Sequence, residues 1–408
     1  MRVSRGVRPL LAAFAAVSAI LGAASTALAS GNDISAEGSA RLLGRAGAGR
    51  AADAETALAA AFNPAQLSAL PGRNLSVSAG YIAPRMESDV TTVFGSVGQD
   101  DFLDDTPVGG FAISSYVNEQ LSVGFSVTPS FGLIVDHGAG FSAAALVSHA
   151  SLRSVAFSPA VSVALTDRLS FGVAPILEVA ALDYRSTLPG FGSADRDYQK
   201  DLGWGALFGL RYEPTDHTNI GLTFRLSPDH DFEGDVSGAF SGSSDFKIDQ
   251  PNVIEASVQH ELPEVATLFA SVSWIGWSVV EQTTVVEPTN PFGDVVAPRD
   301  WDDGWRFSLG VETPLAEKLT GRAGVAYSTS FISADRRVPD APYDNQLRLA
   351  LGLSYDISDR AAVHLGYEYV DLGDNPVALR AADYGGIAAS GDLEGVAHVV
   401  GVELSFGF

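Results

Sequence analysis

The 408-residue chain contains no cysteine. That excludes disulfides, thiolate metal sites and a lipidated N-terminal cysteine, and it fits an exported protein that does not depend on redox staples. Positive charge is also scarce. The 25 Lys and Arg stand against 49 Asp and Glu, a formal net charge of −24, and so acidic a balance argues against a nucleic-acid partner. It does not argue against a membrane, because in a barrel the charges can sit in loops and lumen while the lipid face stays apolar. Beyond residue 29 no apolar run is long enough to cross a bilayer as a helix. Catalytic signatures are missing too. The seven histidines (His137, His149, His217, His230, His260, His364 and His398) show no HExxH spacing, and GxSxG and DxDxDG motifs are absent. His137 and His149 make a weak metal pair. Asp100-Asp101 and Asp104-Asp105 lack the ligand spacing of a calcium loop and read as a solvated acidic tip. The expectation is a non-enzyme with no cofactor and no metal site.

What is present begins at the N-terminus. Arg2, Arg5 and Arg8 precede an apolar run from Pro9 to about Leu28 that ends in Ala27-Leu28-Ala29, the small-x-small pattern of a signal-peptidase site. Residues 1–29 therefore read as a signal peptide, with the mature chain starting near Ser30 and a retained membrane anchor as the rival. Losing the three arginines takes the formal charge from −24 to −27.

From residue 74 onward the chain alternates apolar and polar residues. Fourteen strand candidates result, at 74–84, 107–117, 120–129, 151–165, 168–184, 200–213, 217–228, 251–261, 266–281, 301–313, 317–331, 343–356, 360–371 and 395–408. Tight connections such as Asn118-Glu119 and Thr166-Asp167 alternate with long ones at 85–106, 130–150, 185–199, 229–250, 282–300, 332–342 and 372–394. Short turns on one side and long loops on the other are the pattern of an outer-membrane barrel with both termini on the periplasmic side. A soluble sandwich needs no such asymmetry. The last strand puts Val400, Val402, Leu404, Phe406 and the terminal Phe408 on one face and Gly401, Glu403 and Ser405 on the other.

Burying an Arg or Lys on the lipid face costs about 2–4 kcal/mol at mid-bilayer, so strand charges should point to the lumen. Trp305, Phe307 and Leu309 oppose Arg306 and Glu312; Leu319, Ala323, Val325 and Tyr327 oppose Arg322; Leu347, Leu349, Leu351 and Leu353 oppose Arg348. These arginines either engage an anionic headgroup, to which a guanidinium presents a matching fork, or pair with Glu312, Glu368, Glu403, Asp53 and Glu55 to hold a plug. Trp274, Trp277, Trp301 and Trp305, with Tyr81, Tyr212, Tyr355 and Tyr369, fall near strand ends and suit interfacial girdles. The loop at 130–150 carries Phe131, Leu133, Val135, Phe141 and Leu146, too apolar for a solvated connector. It is a candidate groove for a hydrophobic ligand, or else it packs on a neighbouring loop.

One stretch does not alternate. Ser39 to Leu70, SARLLGRAGAGRAADAETALAAAFNPAQLSAL, is rich in small residues; Arg45, Gly47, Gly49 and Arg50 suit tight turns, and Ala51 to Phe62 reads as a helical run stopped by Asn63-Pro64. We read residues 30–73 as a hatch inside a barrel formed by residues 74–408. A solvated Ala/Gly linker is the alternative. At LGRA…G…A…NPA the chain resembles the FadL family of outer-membrane long-chain fatty acid transporters. The likeness continues through TPSFGL, LRSVAFSPAVSVALTDRLSFGV, GWGALFGLRYEPTDHTNIGLTFRLSPDHDFEGD, LTGRAGVAYSTS and RLALGLSYDISDRAAVHLGYEYV.

The resemblance implies an all-β fold: a monomeric, fourteen-stranded antiparallel transmembrane β-barrel in outer-membrane lipid, occluded by its N-terminal hatch. It also implies facilitated diffusion of a long-chain fatty acid or another hydrophobic molecule, first held in an extracellular groove, then near the hatch, and released sideways at a kinked strand. Pro129 and Gly132 are candidates for that kink. Uptake of aromatic or alkane hydrocarbons, a structural or adhesive barrel, and an open porin are the rival functions; the plug argues against the porin.

Overall fold

A computed structural model describes residues 38–408 except 189, 191, 240 and 287–293, and leaves out the side chains of Phe131, Leu133 and Val295. The expected signal peptide and the start near Ser30 lie outside the described residues.

Fourteen strands close into one antiparallel ring: β1 (Arg73–Ser88), β2 (Thr106–Asn118), β3 (Leu121–Asp136), β4 (His149–Thr166), β5 (Leu169–Leu188), β6 (Asp201–Thr215), β7 (Thr218–Leu226), β8 (Val253–Leu262), β9 (Ala266–Ile275), β10 (Gly304–Ala316), β11 (Leu319–Ser328), β12 (Gln346–Ser358), β13 (Ala361–Asp371) and β14 (Ala389–Gly407). Each pairs with the next, and β1 pairs with β14 from Asn74↔Gly407 to Ser88↔Leu393. Closure leaves no free edge strand, which a sheet surrounded by lipid requires, and the ladder is broken locally where residues 106–110 of β2 lack partners on β3. The period-two pattern sets the faces. Leu349, Leu351 and Leu353 of β12 are exposed on the outside while Arg348 between them is fully buried. Trp204, Trp305, Tyr81, Tyr212 and Tyr355 also face outward.

Above the rim the sheet continues as a ribbon. β5 pairs with Gly192–Tyr198, which pairs with His230–Gly238, and the series runs on through Gly242–Ile248, Gln282–Val286 and Val295–Pro298.

Four differences from the sequence reading have physical causes. The candidate at 266–281 ends at Ile275, because Gly276 turns the chain into a 3-10 turn over Trp277–Val279. Trp277 and Trp301 accordingly leave the girdle and pack inside the loops. The third strand runs to Asp136, so Phe131 to Val135 belong to a strand and not to a loop. Within the expected helical run from Ala51 to Phe62 the α-helix covers just Ala59–Phe62; a 3-10 turn covers Arg50–Ala52, and the Asp53 carboxylate accepts the Glu55 amide, a local bond that competes with helix.

The hatch fills the lumen because the wall lacks side chains where the two meet. A Cβ on Gly221 would overlap the Ala51 carbonyl, one on Gly209 the Asn63 side chain, one on Gly324 the Arg45 backbone and one on Gly366 the Ala40 carbonyl. Inward glycines on β6, β7, β11 and β13 thus form a seat at backbone distance.

Candidate functional site

The hatch is held by buried charge. Arg41 reaches Asp53 at 3.2 Å and Glu312 of β10 at 2.8 Å, and it also pairs with Glu55. Arg45 pairs with Asp53 and Glu312, and Arg322 of β11 brings Nε to 2.9 Å from the same Glu312. On the far side Arg50 donates to Glu255 of β8 at 3.0 Å. Ser39 donates to Glu403 of β14 at 2.7 Å. Desolvating such groups is costly, and breaking one partner away costs about 3–5 kcal/mol, so the network fixes the position of the hatch more than it adds net stability.

Arg45, Gly47, Asn63 and Pro64 all sit in this plug. Gly47 takes φ 71, next to Ala46 at φ 52, whose carbonyl accepts from Arg306 at 3.0 Å. Asn63 donates to the Ala51 and Leu210 carbonyls at 2.7 and 2.9 Å and accepts from Ala65 at 3.0 Å, capping the turn that Pro64 begins. Arg306, Arg322 and Arg348 therefore have protein partners: the Ala46 carbonyl, Glu312 and Glu368 respectively. The structure gathers them beneath and around the hatch, and none of them lines the apolar cavity described next.

Of the apolar loop candidates, Val135 and Phe141 are buried, and Leu146 is half-buried against the same core, which also contains Phe102, Phe331, Val338 and Tyr384. These residues pack loop on loop and do not open as a surface groove. The side chains of Phe131 and Leu133 lie outside the described ones. At the centre of this dome His137 stacks between Phe102 and Phe141 at 4.3 and 4.0 Å, its Nε2 3.1 Å from the Pro339 carbonyl. Burial holds its pKa down at about 4, from an ordinary 6.5.

An apolar space near the dome was not visible in the sequence. A cavity of about 840 Å³, counting its open mouth, lies between Leu152, Leu182, Tyr184, Phe246, Trp301 and Tyr343, with Trp277 and Val280 closing one side. Its one arginine, Arg299, is spent: Nη1 and Nη2 clasp Asp340 at 2.8 and 2.6 Å and Nε donates to Thr283 at 2.9 Å. Lys247 stands at the mouth, 2.7 Å from Asp249. The lining recognises apolar bulk and aromatic faces more than charge.

A second, smaller space, about 320 Å³ counting its open mouth, lies lower, between the hatch residues Arg50, Ala61 and Phe62 and the wall residues Leu207, Thr223 and Arg225. Elsewhere in the ring the wall is locally unpaired. β2 pairs with β3 only as far as Phe111↔Val127, although residues 106–110 keep their partners on β1. The two strands meet again only through Leu103↔Val135 and the Asp136 amide on the Phe102 carbonyl at 2.7 Å. On its other side β3 slips register between Pro129↔Val155 and Gly132↔Arg153, a one-residue bulge. The two kink candidates, Pro129 and Gly132, flank this bulge. Hatch residue Gly38 fills the inner side of the opening: a Cβ there would stand 3.2 Å from Pro129.

Residues 20–408 match a family model described as outer membrane protein transport protein (OMPP1/FadL/TodX). Among curated proteins, the long-chain fatty acid transport protein of Escherichia coli is 23% identical over 92% of this chain and 93% of its own length. Outer membrane protein P1 of Haemophilus influenzae is 24% identical over 82% and 84%. Among solved structures, a Pseudomonas aeruginosa FadL homologue superposes with a TM-score of 0.81 at 16% identity, covering 94% of this chain and all of that one. The Pseudomonas putida toluene transporter TodX gives 0.67 at 17%, covering 90% and 98%.

Proposed function

The chain belongs to the OMPP1/FadL/TodX family of outer-membrane transport proteins, and from that premise we propose that it takes up long-chain fatty acids or similar hydrophobic molecules by facilitated diffusion, with aromatic or alkane hydrocarbons as the second reading. The observation that carries this is a plugged lumen with an aromatic-lined cavity above the hatch and an unpaired gap in the wall beside it. A hydrophobe would leave water for the upper cavity, descend to the space beside the hatch and pass between β2 and β3 into the membrane. At about 0.8 kcal/mol per buried CH₂, a dozen methylenes supply on the order of 10 kcal/mol before entropic losses, so capture needs no energy source. The hydrocarbon reading is favoured by one specific feature, the full internal pairing of Arg299, which leaves the upper cavity neutral.

Residues 1–29 serve as the export signal in this reading, and residues 30–73 form the hatch of a monomeric barrel in outer-membrane lipid. No catalysis and no cofactor are involved. Arg306 and Arg322 act as hatch anchors, Arg348 braces the wall through Glu368, and Val135, Phe141 and Leu146 support the dome that roofs the cavity. Equilibrium binding of a fluorescent long-chain fatty acid to the detergent-purified protein, with oleate, toluene and an alkane as competitors, tests the proposal. Displacement by oleate supports fatty acid uptake, and displacement by toluene or alkane alone moves the assignment to hydrocarbons. No binding leaves the adhesive or structural barrel.

A further inference from the structure

The hatch does not fill the lumen completely. At the end of the barrel that carries the tight turns, the hatch stretch Glu55 to Ala57 borders the ends of β1, β12 and β14 across a polar space of about 530 Å³ counting its open mouth. Strand parity decides which wall residues enter it. The period of two turns Asp356 inward between the exposed Tyr355 and Ile357, and the turn that follows β12 adds Asp359.

Three carboxylates line this vestibule, Glu55 on the hatch and Asp356 and Asp359 on the wall, against one guanidinium, Arg360. Glu55 gives only Oε2 to Arg41 and keeps 46% of its side-chain surface open. Among the described residues the carboxylates of Asp356 and Asp359 make no hydrogen bond or ion pair. Deeper along β1, Ser76 is fully buried and lines the same space, and its hydroxyl has no hydrogen-bond partner among the described residues. Its cross-strand neighbour Ser405 differs, with Oγ 3.0 Å from His364 Nε2.

Uncompensated carboxylates in a recess draw positive charge into it. Among the described residues no three acidic or histidine side chains converge closely enough to hold one metal ion. The matching charge is therefore spread along a chain. A linear aliphatic polyamine has that form, with ammonium groups at intervals for separate carboxylates and a further N–H for a hydroxyl such as Ser76.

We propose that the vestibule binds a linear polyamine from the periplasmic side, one ammonium on Glu55 and the others on Asp356 and Asp359. Glu55 belongs to the hatch and the two aspartates to the wall, so the occupant ties hatch to barrel across the space that separates them. The site lies at the opposite end of the lumen from the upper cavity, and it does not depend on which hydrophobe is carried.

The test is isothermal titration calorimetry of the full-length, detergent-solubilised protein with spermidine, and with butylamine at matched ionic strength. Asp356→Asn and Asp359→Asn remove carboxylates that hold nothing else in place, and Asp100→Asn/Asp101→Asn in the loop after β1 controls for the general acidity of the surface. One saturable site is expected, tighter for spermidine than for butylamine by at least about tenfold. Either vestibule aspartate substitution, and Glu55→Gln, should weaken spermidine roughly five- to tenfold, while the loop pair leaves it unchanged. Unsaturable binding, equal affinity for the two amines, or equal weakening by loop and vestibule substitutions overturns the site. Wild-type affinity in Glu55→Gln overturns the tie to the hatch. None of these results bears on the transport reading, which the fatty acid competition decides separately.

Discussion

At the level of single residues, the protein uses buried charge to position its parts. Glu312 is the shared acceptor of Arg41, Arg45 and Arg322. Glu312→Gln should leave three arginines under-compensated and release the hatch, at a cost of about 3–5 kcal/mol; the measurement is single-channel conductance in planar bilayers, expected to rise from near closed to a steady leak. His137 gives a pH dependence in the loops. Its pKa falls from 6.5 to about 4 in the folded dome, so between those values the unfolded loops bind more protons and stability rises with pH. The contribution is complete above pH 6.5 and is lost as the pH drops toward 4, about 3 kcal/mol in all. Limited proteolysis of the extracellular loops should accelerate over that window in the native protein and become pH-independent in His137→Phe.

At the level of elements, the strands were legible because lipid enforces what a soluble sheet only favours. The outward positions of β12 are Leu347, Leu349, Leu351, Leu353, Tyr355 and Ile357, while Gln346, Arg348, Ala350, Gly352 and Ser354 point inward, so the period of two survives along the strand. Ends were less legible. Nothing in the local pattern separates Ile275 from Trp277, and only the turn at Gly276 does so. Phe131 to Val135 looked like a loop because Pro129 breaks the alternation, yet the strand resumes past a bulge. The hatch was recognisable by its missing alternation and its small residues. Its helix was overdrawn because Asp53 is committed to Arg41 and Arg45, contacts that come from elsewhere in the chain. Gly221→Val should push the Arg50–Ala52 turn off β7 and raise conductance, while Gly140→Ala, where a Cβ meets nothing within 4 Å, should leave it unchanged. Asn63→Ala removes two donors and a cap together, and it should loosen the hatch by about 1–3 kcal/mol, read as increased solute leak.

At the level of the whole molecule, the upper cavity is assembled from distant segments, which is why the sequence did not display it. The upper cavity takes Leu152 from β4, Tyr184 from β5, Phe246 from the ribbon, Trp301 from the loop before β10 and Tyr343 from the loop before β12. None of these stretches has a ligand-binding pattern of its own. The barrel wall brings them to one place, and the acidic loops keep the surrounding surface soluble. The placement of the five tryptophans makes the central claim directly measurable. Trp277 and Trp301 face the cavity, while Trp204 and Trp305 face the lipid. Titration of the detergent-solubilised protein with a brominated long-chain fatty acid should quench Trp277 and Trp301 saturably, with one site's stoichiometry, on top of a linear partition quenching of the outer pair. The saturable component should vanish in Trp277→Phe/Trp301→Phe. Quenching that stays linear throughout, and that is the same with and without the two inner tryptophans, would contradict a ligand path through the lumen.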